Sequence, residues 1–225
     1  MKKYWFLIVP LIYFIPGAIV DFRNKFGNPN YENSHYLIGA MLNSFLIEGL
    51  LFFLIKKTSV KRPLDGFIFF FFSFYIVQLF GNALSFPLTS LLDHPFRGSS
   101  LFSEGYPMAI NLAPFVLTIR TIGEEGALTL LIGNALMLTP LAFSCLYFGW
   151  IKSSKAVIIA MILLSFAVET VQFIEMLISS FFYIKDLRTS DIDDVILNSL
   201  SGLIGVWLYK LLEPYFMNEK NRSDR

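Results

Sequence analysis

Glu169, Asp191, Asp193 and Asp194 are carboxylates that lie in or beside apolar runs in the last third of the chain. Glu169 falls near the middle of its run, and Gln172 follows three residues later on nearly the same helical face. A charge at the centre of a bilayer costs roughly 2.5–3.5 kcal/mol on insertion scales, so such a group must pair, meet water or stay protonated. Asp191, Asp194, Asn198, Gly202 and Gly205 share one helical face at spacings of three or four, while Asp193 points roughly the opposite way. Two carboxylates, one held protonated by burial, can do general acid–base work, which makes Glu169 and Asp194 the candidate catalytic pair. The same oxygens can also bind a cation. The bland readings are specific too. Ser190 or Asp191 can cap a helix whose first turn is acidic, and Asn198 and Glu169 can fix helix packing through interhelical hydrogen bonds. Asn111, Arg120, Asn134 and Arg188 are polar residues that topology can bring to the same place. The candidate polar pocket is therefore Asn111, Arg120, Asn134, Glu169, Gln172, Arg188, Asp191, Asp194 and Asn198. No zinc-type site is expected, because His35 and His94 lie in loops without ligand spacing. No phosphate-cradling glycine loop is present, no serine has a histidine base nearby, and no cofactor is expected.

The elements that must hold these residues are membrane spans. The chain has 225 residues, 55% hydrophobic and 16% charged, with 25 phenylalanines. Its apolar runs of about 20 residues match a hydrocarbon core of roughly 30 Å. The expected fold is all-α, a polytopic integral membrane helix bundle of about six transmembrane helices. A net charge of +1 excludes an obvious nucleic-acid binder and leaves the lipid bilayer as the first partner. Cys145, alone in an apolar run, reads as a small buried hydrophobe.

In order, the expected spans are 1–20, 36–55, 64–88, 126–150, 156–182 and 191–212. The first could be a signal peptide, but Pro16 and Gly17 make a poor cleavage site, which favours a retained span. In the third, Gln78, Asn82, Ser85 and Thr89 share a face that should look inward, since lipid would not reward it. Residues 92–125 form a long loop, and the polar tail from Glu213 reads as disordered. The domain reading is two amino-terminal spans with a basic loop at 1–63, a four-helix membrane domain at 64–212 and a tail at 213–225. With the amino terminus inside, the inside segments hold Lys2, Lys3, Lys56, Lys57, Lys61, Arg62, Lys152, Lys155, Lys210, Lys220, Arg222 and Arg225. The outside segments hold half as many: Arg23, Lys25, Arg97, Arg120, Lys185 and Arg188. The positive-inside rule then makes both termini cytoplasmic and turns the Asp191 end of the last span outward.

Several short motifs occur in a fixed order. Asn111-Leu-Ala-Pro-Phe115 precedes Gly133-Asn134 and Pro140. Ser165, Glu169 and Gln172 follow, then Arg188, Asp191-Ile-Asp-Asp194, and Asn198 ahead of Gly202 and Gly205. Over about residues 107–212 this order resembles the VanZ-like family of bacterial membrane proteins. The chain departs from the family pattern at Pro107, Met108 and Ala109, where a basic residue is usual, and at Ala142 and Ser201, where glycines are usual. The resemblance implies a multi-pass protein of the bacterial cell membrane. It also implies a non-enzymatic role in resistance to teicoplanin, a lipid-tailed glycopeptide, with the drug or a lipid-linked cell-wall precursor as partner at the outer face. The alternatives are a membrane-embedded enzyme acting on a lipid or lipid-linked substrate, and a small-molecule or proton-coupled carrier. The carrier is disfavoured by the absence of an inverted repeat in the sequence.

Overall fold

A computed structural model describes residues 3–11, 15, 19, 23, 36–84, 88–105, 110–124, 126–182, 184 and 190–223. The fold is all-α. Among the described residues five helical stretches are long and apolar enough to cross a membrane: Ile38–Lys57, Pro63–Leu84, Ala127–Tyr147, Ser154–Ser180 and Ile192–Phe216. The expected first span and the loop after it fall largely outside the described residues; Lys3–Ile8 is a 3-10 helix. The remaining helices are α1 (Tyr36–Lys57), α2 (Pro63–Leu79), α3 (Leu88–Asp93), α4 (Val116–Thr121), α5 (Ala127–Leu136), α6 (Thr139–Tyr147), α7 (Ser154–Ser180) and α8 (Ile192–Ser223). Two two-residue strands, β1 (Ile110–Asn111) and β2 (Ser190–Asp191), pair with each other. The chain divides into two compact units, one of residues 1–110 and 170–190, the other of residues 111–169 and 191–225.

In the first unit, side chains satisfy the backbone where α1 ends and α2 begins. The last carbonyls of a helix have no intrahelical donor. Lys3 Nζ donates to the carbonyls of Ile55 at 2.9 Å and Thr58 at 3.0 Å, placing a cation at the negative end of α1. Asp65 accepts the backbone N–H groups of Lys61 and Arg62 and is forked by the Arg62 guanidinium at 2.9 Å. Pro63 starts α2, where its missing N–H costs nothing. The buried face of α2 runs through Asp65, Phe69, Phe72, Ile76 and Leu79. Gln78 and Asn82 are exposed, against the expectation of an inward polar stripe. They lie away from the face of Phe69, Phe72, Ile76 and Leu79 that is buried. Ser85 and the Thr89 side chain lie outside the described residues. The helix widens to a π turn over Phe80–Leu84.

The second unit is built on one parallel and one antiparallel helix pair. Asn134 meets Asp194, Leu138 and Thr139 meet Ser201, and the Thr139–Phe143 turn faces Gly205. The numbers rise together, so α5 and α6 run parallel to α8. Ser165 meets Val195 and Met161 faces Gly202, so α7 runs antiparallel to α8. The core between them holds Leu138, Ala142, Cys145, Val157, Met161 and Val206. Pro140 follows the break between α5 and α6. The hydroxyl of Ser201 accepts the Leu138 N–H at 2.8 Å and donates to the Asn198 carbonyl at 2.7 Å, bridging that break. Ala142 fits because Gly205 stands opposite: a Cβ at Gly205 would come within 2.8 Å of the Ala142 Cβ and against the Thr139 carbonyl. The tail from Glu213, read as disordered, is helical as far as it is described: α8 continues through Pro214 to Ser223. Elongating an existing helix avoids the nucleation step that an isolated polar tail would face.

Gly205→Ala should destabilise the folded protein by about 1–3 kcal/mol, because the added methyl meets backbone rather than a flexible side-chain end. Gly133→Ala, with nothing within 4 Å of its added Cβ, should be tolerated. Thermal unfolding in detergent, comparing the two variants with the parent, checks the contrast.

Candidate functional site

The head of α8 gathers the carboxylates. Asp191 precedes the first helical residue, and its Oδ1 accepts the Asp193 N–H at 2.9 Å, which makes it the N-cap. The same oxygen accepts the side-chain amide of Asn111 at 2.8 Å. The backbone N–H of Asp191 donates to Glu169 Oε2 at 3.1 Å. Asn111, Asp191 and Glu169 are thereby joined across three separate stretches of sequence. Glu169 is only 6% exposed and Asp191 7%.

Asp193 holds the loop before α4. Its Oδ1 accepts the Phe115 N–H at 2.6 Å; its Oδ2 accepts the Thr118 hydroxyl at 2.7 Å and the Thr118 N–H at 3.3 Å. Phe115 is the N-cap of α4 and Thr118 its third helical residue. In a capping box those two N–H groups are met from within the helix; here one carboxylate from α8 meets both. Phe115 is also the one non-glycine with positive φ among the described residues, at 65°. A side chain in that region costs roughly 1–2 kcal/mol, and the Asp193 bonds hold it there. Asp193 indeed points away from the Asp194 and Asn198 face. It is buried rather than solvent-facing, so it belongs among the site residues that spacing alone did not select. A carboxylate in an apolar run with a helix start some 80 residues upstream leaves no local signal.

Asp194 accepts the side-chain amide of Asn134. Asn198, one turn deeper, is 2% exposed, and its Oδ1 is buried without a hydrogen-bond partner. The hydroxyl of Ser165 donates to the Val195 carbonyl at 3.1 Å beside it. Asn111, Asn134, Glu169, Asp191, Asp194 and Asn198 thus lie in one unit, with Asp193, Thr118 and Ser165 added to them. Gln172 goes elsewhere: its amide donates to the Ala83 carbonyl at 3.2 Å, at the π turn after α2. Arg120 lies on α4, but its side chain is outside the described residues, as is Arg188 altogether. Among the described residues no group of three or more His, Cys, Asp or Glu side chains is arranged to hold a metal ion.

Apolar helices of membrane length and carboxylates buried at the head of one of them define a multi-pass membrane protein. The family model for VanZ/LLP1 matches residues 67–213, and the chain belongs to that family. The match extends back over α2, beyond the stretch in which the motifs are densest. No curated protein matches the chain, and no solved structure does.

Asp193→Asn keeps one acceptor oxygen and should leave the N–H of Phe115 or of Thr118 without its partner, at about 1–3 kcal/mol. The loss is local, so hydrogen exchange should accelerate at the Phe115 or Thr118 amide and remain slow along α5, α6 and the body of α8.

Proposed function

We propose that this VanZ/LLP1 protein resides in the bacterial plasma membrane with both termini cytoplasmic. In this reading it is not an enzyme; it lowers the access or binding of teicoplanin-type lipoglycopeptides at the outer face. Residues 64–212 are the VanZ-like domain, and the carboxylate cluster at the head of α8 faces outward, where a lipid-tailed drug or a lipid-linked cell-wall precursor is met. The excess of basic residues in the inside segments supports the orientation. The parallel course of α5–α6 and α8, with α7 antiparallel, is compatible with it.

The observation that carries the non-enzymatic reading is how the carboxylates are used. Asp191 and Asp193 each accept two or three hydrogen bonds from N–H or O–H donors, and Asp194 accepts from Asn134. Such donors hold each side chain in one orientation, which suits a preorganised binding surface. The second reading, a membrane-embedded enzyme acting on a lipid or lipid-linked substrate, takes Glu169 and Asp194 as the acid–base pair. Its support is the buried Asn198 Oδ1, which would accept a hydrogen bond from a substrate hydroxyl on the Asp194 face.

Deleting the gene should raise teicoplanin susceptibility and increase surface binding of labelled drug; unchanged values of both would sink the resistance reading. Glu169→Gln, Asp194→Asn and Asn198→Ala, each checked for protein abundance, should lose the phenotype at normal abundance if the cluster is the site. Loss of the protein itself would mean that the cluster only holds the fold. An accumulated lipid in the Glu169→Gln or Asp194→Asn cells would favour the enzyme instead.

A further inference from the structure

Two lysines at the end of α1 fold back onto exposed rings. Lys56 Nζ lies 4.5 Å from the centre of the Phe52 ring, and Lys57 Nζ lies 4.2 Å from that of Phe53. Each lysine is four residues beyond its ring, so its ammonium sits one turn back along the span, over an aromatic face that attracts it. Residues 58–62 alone join α1 to α2, which sets the last turn of one span and the first turn of the next at one membrane boundary. Lys56, Lys57 and Lys61 are all exposed there. Among the described residues no carboxylate pairs with any of the three. Asp65, the acid of that turn, is taken by the Arg62 guanidinium and by the N–H groups of Lys61 and Arg62. Lys3 already occupies the carbonyl end of α1 through Ile55 and Thr58, which offsets the negative pole that would repel an anion.

One turn deeper, the helix surface has a pit. Gly49 is exposed, and a Cβ built on it would meet nothing within 4 Å. Its neighbours at three and four residues on either side are Phe45, Leu46, Phe52 and Phe53, which surround it on the surface of the continuous helix Tyr36–Lys57. They are 72%, 44%, 42% and 54% exposed, so the rim of the pit faces outward from its unit. Phe52 and Phe53 carry the two ammoniums, and pit, rings and charges therefore run in line along one face of α1.

That order of groups matches an amphiphile with an anionic head. A phosphate accepts charge-assisted hydrogen bonds from both ammoniums at the membrane boundary, where basic clusters at the end of a span attract anionic lipid. An acyl chain passes over the missing Cβ between the aromatic walls. A soluble anion would leave the pit unused, and a zwitterionic head would bring a further cation against the two lysines. We propose that the Lys56–Lys57 end of α1 is a docking site for one anionic phospholipid, with its phosphate between the two ammoniums and an acyl chain over Gly49. The site belongs to the first unit and does not depend on the carboxylate cluster.

The test is native mass spectrometry of the full chain in detergent, with equimolar phosphatidylglycerol and phosphatidylcholine of matched acyl chains. The parent should retain one phosphatidylglycerol, several-fold more abundant than the phosphatidylcholine adduct. Lys56→Gln/Lys57→Gln should bring the two adducts level. Lys152→Gln/Lys155→Gln, an equal loss of charge at other exposed lysines, should keep the preference. Gly49→Leu, which fills the pit and leaves the charge, should reduce the retained phosphatidylglycerol. No preference in the parent would overturn the proposal. So would equal losses in the two double variants, which would show a diffuse effect of charge, or a preference untouched by Gly49→Leu, which would remove the acyl-chain seat. Lys56→Arg/Lys57→Arg keeps both charges and should keep the preference, which separates lost binding from lost folding.

Discussion

A backbone N–H taken out of water must find an acceptor within the protein. The spans meet this demand with their own carbonyls. The turn before α4 and the first turn of α8 cannot, because a helix start leaves its first N–H groups without intrahelical partners. Asp191 and Asp193 supply the acceptors. Asp191 closes the first turn of α8 and reaches Asn111; Asp193 closes the first turn of α4 from a neighbouring element. Glu169 then accepts the Asp191 N–H, tying α7 into the same junction. Acidic groups that are expensive in a membrane are retained here because the donors they satisfy would be expensive as well.

Below this junction the helices approach through small residues. Gly202 lies against Met161 and Gly205 against the Thr139–Phe143 turn, so α8 packs between α7 and α6 almost backbone to side chain. Between membrane helices, close van der Waals contact replaces the hydrophobic effect as the main source of association. Ser201 adds a hydroxyl that binds the Leu138 N–H at the break ahead of Pro140, so a small residue both fits and satisfies a donor in the break. Asn198 sits between these two layers, fully buried, with its side-chain Oδ1 facing no donor. It marks where the polar junction ends and the apolar packing begins.

Much of this was legible from residue types and spacing. Twenty-residue apolar runs have one stable solution in lipid, so the all-α class and the helix positions from Tyr36 onward follow from the hydrophobic pattern. The three- and four-residue spacing put Asp194 and Asn198 on one face of α8 and Asp193 on another, and Asp194 and Asp193 have different partners, Asn134 and the Phe115–Thr118 turn. The order of the motifs pointed to the family that the match over residues 67–213 shows. Spacing was less informative about partners. It grouped Gln172 with Glu169, although one helical turn carries Gln172 to the Ala83 carbonyl in a different unit. It sent Gln78 and Asn82 inward, although both are exposed and the face of Phe69, Phe72 and Ile76 is the one buried. It also read the tail as disordered where α8 carries on.

By itself, then, the sequence determined the apolar surroundings, the helices and which polar residues share a helical face, because those depend on local periodicity and on the cost of a polar group in hydrocarbon. Only the tertiary structure decided which distant segments those faces meet. Asp193 and Phe115 are 78 residues apart, and Asn111 and Asp191 are 80. No local propensity encodes such pairs. They form because folding brings a helix start that lacks acceptors to a buried carboxylate that lacks donors, and each removes the other's desolvation cost.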